Sequence, residues 1–316
     1  MRRDFRNSVT EFVLTGITKS HDLQIFLFLL FLFVYFFTIF GNAGIIFLVF
    51  HNANLHTPMY FFISSLSFLD LCYSSDITPK MLVDFLSEKK VISYIGCFLQ
   101  LFFFVAFGCT ESLLFAVMSY DRHVAISNPL NYNMVMQSKT CIALVSGAYT
   151  AGSLVALIET CCTFRLSFCA SNILHHFVCD FPQLMTISCT DTAINELILF
   201  IFASSVTMSS ILVIVISYFS IFMAIAKIKN SLGRKKAFST CSSHISAVTI
   251  FYSTVFYVYL TPKSISSAQS GLIATVFYTT VIPMLNPIIY SFRNKDIKVD
   301  ITLMTSLSLM IHYNVF

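Results

Sequence analysis

Tryptophan is absent from this chain and charged side chains are scarce, at 11% of 316 residues. That is too little polar surface to keep a folded domain of this length dissolved. The net charge is only +4 and the basic residues are dispersed apart from one short run, which gives a nucleic acid no footing. The sequence has no phosphate-cradling glycine loop, no HExxH pair and no nucleophile, base and acid in a recognisable pattern. No enzyme and no cofactor are therefore expected. Asn7-Ser8-Val9 misses the Asn-x-Ser/Thr pattern and no other asparagine satisfies it, so N-glycosylation is not expected. Residues 1–24 lack the basic start and short apolar core of a removable leader, and the first apolar segment is expected to act as its own insertion signal.

What the chain does have is apolar length. Hydrophobic residues are 57% of it and phenylalanine alone fills 35 positions. Seven apolar windows, near 25–50, 58–79, 97–121, 141–161, 197–224, 238–260 and 271–291, are each long enough for a helix to cross ~30 Å of hydrocarbon. The expected fold is an all-α integral membrane protein, a seven-transmembrane helix bundle with the lipid bilayer as its solvent. It reads as one domain, 1–316, with an arm (1–24), the bundle (25–291) and a tail (292–316). A transporter or channel is the alternative class, but no half-helices recur in two halves and no inverted repeat is visible.

The seven spans put the two ends on opposite sides, and basic residues do not say which. Arg2, Arg3, Arg6 and Lys19 stand in the arm, against Lys227, Lys229, Arg234, Lys235 and Lys236 before the sixth span. Cysteines decide it. Cys161, Cys162, Cys169, Cys179 and Cys189 crowd the loop after the fourth span, and Cys97 opens the third on the same side, as disulfides on an oxidising face would require. The N-terminus is thereby expected outside and the tail in the cytoplasm.

The chain is organised around Met118 to Ile126, where charge returns at the end of the third span. Asp121 and Arg122 there can pair in one state and separate in another, which suits a switch; a snorkelling arginine at a membrane edge is the plainer reading. Asp70 lies mid-span, and a carboxylate at that depth costs at least ~2.5 kcal/mol, so it should face the interior. Glu111 is eleven residues before Arg122, about 16 Å outward on nearly the same face. With Asn42 and Asn286 they form an expected interior polar cluster, holding a proton, a sodium ion or water, or else simply hydrogen-bonded. The fourth span stands out only for small residues, Ser146, Gly147, Ala148, Ala151, Gly152 and Ser153, which suit close packing. Pro283 and Pro287 must loosen the seventh.

Four motifs in order carry a resemblance over residues 12–298: Leu55-His56-Thr57-Pro58-Met59-Tyr60, Asp121-Arg122 with its flanks, Lys236 to His244, and Pro283 to Tyr290 followed by Ser291-Phe292-Arg293-Asn294. They resemble the vertebrate odorant receptors, rhodopsin-like G-protein-coupled receptors of the tetrapod type. The resemblance implies a plasma-membrane receptor that binds a small volatile and activates a heterotrimeric, stimulatory olfactory-type G protein, raising cyclic AMP. It casts Arg122 as the residue engaging the G protein, Asp121 as its resting partner, and Tyr218 and Tyr290 as tyrosines that swing toward it. It implies disulfides Cys97–Cys179 and Cys169–Cys189 and leaves Cys161 and Cys162 without a role. The chain departs from the family at Ser119, His123 and Ser127, usually alanine, tyrosine and cysteine. The missing sequon and the tail without Lys or Arg beyond Lys298 raise the alternative of a poorly trafficked copy.

By the same correspondence the ligand walls are Phe104, Val105, Gly108 and Cys109 in the third span, about 20–27 Å outward from Arg122. Facing them are Phe202, Ala203, Val206 and Thr207 in the fifth, Val255 and Tyr259 in the sixth, and Val276 and Thr279 in the seventh. No acid stands in the outer half of the third span, so an uncharged volatile is expected, oriented by Tyr259 or Thr207. His175, His176, Cys179 and Asp180 carry donor types that copper or zinc accept, but Cys179 is committed to the disulfide, and no metal is expected.

Overall fold

The computed structural model describes residues 9–169, 171–228, 230–260 and 268–293. Arg2, Arg3, Arg6, Asn7, Lys229 and the tail beyond Arg293 lie outside them, as do the side chains of Tyr259 and Lys236. The chain runs β1 (Glu11–Leu14), α1 (His21–His51), α2 (Pro58–Leu86), β2 (Val91–Ser93), α3 (Tyr94–Ser127), α4 (Tyr132–Val135), α5 (Ser138–Phe164), β3 (Ile173–Leu174), α6 (Phe181–Thr186), α7 (Ala193–Ala226), α8 (Ser231–Leu260), α9 (Ala268–Val276), a π-helical turn (Phe277–Val281) and α10 (Ile282–Arg293). The seven spans are α1, α2, α3, α5, α7, α8 and the broken α9–α10 rod.

Local chemistry sets the helix limits. Thr57 precedes α2 with Pro58 in the first turn, where its missing N–H costs nothing. Ser93 caps α3 by accepting the Gly96 N–H at 3.0 Å. Pro129 follows α3 and disfavours helical geometry at Asn128, so the helix stops at Ser127. Five spans are apolar throughout; α2 and α8 are as long but more polar, α2 through Asp70, Asp76, Lys80 and Asp84 and α8 through its basic start. Lys80 and Asp84, one turn apart, form an ion pair near the outer end of α2.

The seventh span is broken for a traceable reason. Pro283 and Pro287 cannot donate to the carbonyls four residues back, and the ladder relaxes into the π turn immediately before Pro283. The carbonyl of Pro283, which Pro287 leaves without its usual donor, is taken by Asn42 Nδ2 at 3.0 Å. Gly41 lets the ring of Pro287 approach, since a methyl there would sit 3.2 Å from the ring's Cβ. The Gly41-Asn42 pair on α1 therefore repairs a defect on α10.

Between spans that share a lipid solvent, packing and hydrogen bonds hold the bundle, so small residues matter most where backbones touch. Gly152 of α5 lies against α3: an added Cβ would fall on Thr110 Oγ1 and 2.7 Å from the carbonyl oxygen of Ala106. Neither neighbour can yield, because Thr110 already donates to that carbonyl at 2.7 Å. Gly152→Ala should therefore cost about 1–3 kcal/mol of overpacking. A lower thermal midpoint in detergent and reduced surface staining would show it; an unchanged midpoint would mean that α3 and α5 are not so closely packed.

The expectation of helix alone needs an addition. A three-stranded sheet in the order β2-β1-β3 closes the outer end, with β1 antiparallel to β2 and parallel to β3. The arm that reads as a polar tail thus contributes the central strand, and Phe12 and Leu14 are buried in an outer apolar cluster with Phe104, Leu174 and Phe177. A second apolar cluster fills the inner half around Leu66, Phe115, Met118 and Phe251. Both outer disulfides form, Cys97–Cys179 and Cys169–Cys189. Cys161 and Cys162 remain free, and the Cys162 carbonyl accepts from Asn195 at the start of α7.

Candidate functional site: an inner switch and an outer pocket

At the inner end of α3, Asp121 is fully buried and Arg122 half-buried. Among the described residues the two make no ion pair with each other. Asp121 Oδ1 instead accepts the hydroxyl of Tyr132, on α4, at 2.8 Å. Arg122 keeps a buried Nε without a partner, and its charge acts on Asp121 and Tyr132 as well as on Tyr218, Cys241, His244 and Tyr290. In this conformation the acid is held by a tyrosine hydroxyl, while the Arg122 charge acts on it without the expected contact ion pair. The reason is reach: Tyr132 lies one loop further on, and α4 turns it back beneath α3.

The tyrosines expected to face Arg122 both point inward. Tyr218 Oη and His244 Nδ1 are 2.6 Å apart, joining α7 to α8, and the Tyr290 hydroxyl is buried without a partner. His244 belongs to the stretch that carries the resemblance, but its sequence position alone assigns it no role. The signal available was its depth: a histidine two turns into an apolar span needs a partner. On the same side, His123 and Ser127 hydrogen-bond to each other and line a cleft of about 430 Å³ with Ser220 and Lys227.

The interior polar group is largely assembled. Asn286 Nδ2 donates to both oxygens of Asp70, at 3.3 and 3.0 Å, linking α10 to α2. Glu111 adjoins them with neither oxygen in a well-formed hydrogen bond. Asn42 stands apart from the acids and serves Pro283 instead. Next to Glu111 on α3, Ser112 and Tyr252 join α3 to α8 at 2.8 Å.

In the outer half the expected ligand walls separate. Phe104, Val105, Cys109, Phe202, Val206 and Val276 share the outer cluster, with Tyr73 and Tyr278 among them. Ala203 and Thr207 are partly exposed on α7, and Gly108 faces Tyr73, whose hydroxyl would lie 3.7 Å from an added methyl. Val255 packs instead on the inner cluster. Thr279 donates its hydroxyl proton to the Thr275 carbonyl of its own helix at 2.8 Å, so its donor is already used. A cleft of about 300 Å³ opens between α8 and the α9 end of the seventh span, lined by Ser253, Thr254, Tyr257, Ile273, Ala274 and Phe277.

Above the pocket, Gln100 of α3 accepts the Cys179 N–H at 2.9 Å, a second tie beside the disulfide. His176 Nδ1 accepts the Val178 N–H, and burial pushes its imidazole down to about 4, so it sits there neutral. Burial drives Asp180 the other way, up to about 6. With the Cys179 sulfur in the disulfide, these donors are each engaged in holding the loop.

Comparisons with known proteins place the chain. A family model described as olfactory receptor matches residues 31–307. Olfactory receptor 5G9 of Mus musculus is 51% identical, over 92% of this chain and 92% of its own length. Olfactory receptor 5M5 of Mus musculus is 51% identical over 94% of each. Olfactory receptor 5I1 of Homo sapiens is 50% identical over 92% of each. Among solved structures, squid rhodopsin superposes with a TM-score of 0.67 at 20% identity, covering 92% of this chain and 87% of that one, a likeness of fold.

Proposed function

Because the chain belongs to the olfactory receptor family of rhodopsin-like G-protein-coupled receptors, we propose that it couples a small, mostly apolar volatile in the outer cluster to a stimulatory, olfactory-type G protein. The whole chain, 1–316, acts as one receptor domain: an outer arm (1–24), the bundle (25–291) and a cytoplasmic tail (292–316). One observation carries the reading. Arg122, in no contact ion pair among the described residues, lies within electrostatic reach of groups on α7, α8 and α10, so a shift of any of them changes what the guanidinium can reach. The ligand acts on the same helices at their other ends, through Phe202 and Val206 on α7 and Val276 on the seventh span.

The magnitude is attainable. Moving a two-state receptor from mostly resting to mostly active takes ~5.5 kcal/mol of differential ligand affinity. At ~25 cal/mol per Å², that is about 220 Å² more apolar surface buried in the active state, within the size of a small volatile. The Asp70, Glu111 and Asn286 group lies between the two ends. A proton, a sodium ion or water would complete the oxygens that Glu111 leaves open, and its loss on activation would couple pocket to switch.

The test is G-protein dependence. Cells supplying the stimulatory olfactory α-subunit should raise cyclic AMP when the receptor meets an agonist, and cells lacking stimulatory α-subunits should not. No ligand-dependent current should appear in cells without cyclic-nucleotide channels. Cyclic AMP that persists without the α-subunit, or a current that needs no channel, would overturn the reading.

A further inference from the structure

The third span has no acid in its outer half, but the fourth does. Glu159 of α5 is 3% exposed and its Oε1 has no hydrogen-bond partner. The next residue, Thr160, is fully buried and its hydroxyl is also unpartnered. Thr78 of α2 is likewise buried with an unpartnered hydroxyl, whereas other buried threonines are served within their own helices. Thr38, Thr110, Thr163 and Thr279 all return their hydroxyls to the carbonyl four residues back, as threonines inside membrane helices commonly do. Two adjacent polar groups left open among apolar neighbours are costly unless something completes them.

Direction adds to the point. Helix side chains lean toward the helix N-terminus, which for α5 is the inner end, so Glu159 leans down the bundle. Two turns inward on the same face, Gly152 abuts Ala106 and Thr110 of α3, and Val155 and Ala156, about one turn inward of Glu159, belong to the outer cluster with Phe202 and Val206. Among the described residues no lysine or arginine answers Glu159. The carboxyl therefore lies beside the wall of the outer pocket with no counter-charge of its own.

We propose that Glu159 anchors the ligand in that pocket and selects a volatile aliphatic amine; this rests on reading the outer cluster as the volatile's site. The free base arrives uncharged and soluble in lipid, as the apolar walls require. Its nitrogen lone pair accepts the carboxylic proton when Glu159 holds one, leaving an ammonium and a carboxylate side by side with no net change in charge. Its N–H groups donate to Oε1 when Glu159 does not. An amine thus completes the acid in either state. An alcohol can hydrogen-bond but gains no ion pair, and a hydrocarbon gains neither.

The experiment compares cyclic AMP dose–response curves for n-butylamine through n-octylamine with the matching alcohols, in the intact receptor and in Glu159→Gln, at matched surface staining. The amines should be at least about tenfold more potent than their alcohols, and Glu159→Gln should remove about tenfold from the amines while moving the alcohols less than about threefold. Equal shifts for both series, or no shift in either, overturn the assignment. If Glu159→Gln fails to reach the surface, the unmodified receptor still decides: amines no more potent than alcohols sink the proposal. Val206→Phe, within the outer cluster itself, tests the pocket separately. It should blunt both series if the outer cluster is the pocket; if it leaves both intact, the pocket reading itself falls, whatever Glu159 does.

Discussion

Replacing Arg122 by alanine should abolish the cyclic AMP response to every agonist and leave the receptor at the cell surface. The two halves of that result have separate causes. Arg122 makes no ion pair in this conformation and its Nε has no partner, so the fold loses little when it goes. Asp121 does not become a stranded acid, because the Tyr132 hydroxyl already answers it at 2.8 Å. On the proposed coupling, what would be lost is the fork of donors offered to the G protein. Hydrogen bonds to charged groups contribute ~1.5–3 kcal/mol each, and losing two of them costs ~3–6 kcal/mol, enough to take coupling to background. Arg122→Lys keeps the charge without the planar fork and should recover only part of the signal. A normal cyclic AMP response from the alanine variant, at equal surface staining, would mean that the switch lies elsewhere.

Cys97→Ser and Cys179→Ser should each all but remove folded receptor from the surface, and the double variant should be no worse than either single one. The bond joins residues 82 apart with Cα atoms 5.5 Å from each other. Closing so long a loop restrains the unfolded chain by ~4–5 kcal/mol in the chain-entropy account, a large part of the stability of a typical domain. The bond from Gln100 to the Cys179 N–H cannot replace it, since one hydrogen bond adds only ~0.5–1.5 kcal/mol. The Cys169–Cys189 bridge closes a loop of only 20 residues and should cost less, ~3 kcal/mol on the same account. The ratio of surface to total receptor in the two serine series measures the order. A larger loss from Cys169→Ser would show that loop length is not what sets the effect.

The parts of this structure legible in the sequence are those whose cause is local. Apolar windows announce spans, and Pro283 and Pro287 announce a break. A lone acid at bilayer depth announces an inward face, and Asp70 indeed meets Asn286. What stayed hidden depends on residues that meet only in three dimensions. Tyr132 gives no sign that it clamps Asp121, because the loop between them has to turn. Asn42 reads as one more member of an acid cluster until the carbonyl freed by Pro287 is seen beside it. Glu159 gives no sign in a span marked by small residues, because burial, not pattern, is what makes it unusual. β1 is four residues long and indistinguishable from a polar arm until its partners are known.

That strand has a consequence in time. Glu11–Leu14 is made almost first, yet Val13 pairs with Ile173, and Asn172 donates its side chain to the Glu11 carbonyl across 161 residues of chain. At ~5–20 residues per second, the centre of the outer sheet waits about 8–30 s for that neighbour to be synthesised. The edge it shares with Val91–Ser93 can close earlier, and the other cannot. During that interval its free edge is open to any other strand that comes within reach. The stretch of this receptor that is translated early is therefore among the last to be locked in place.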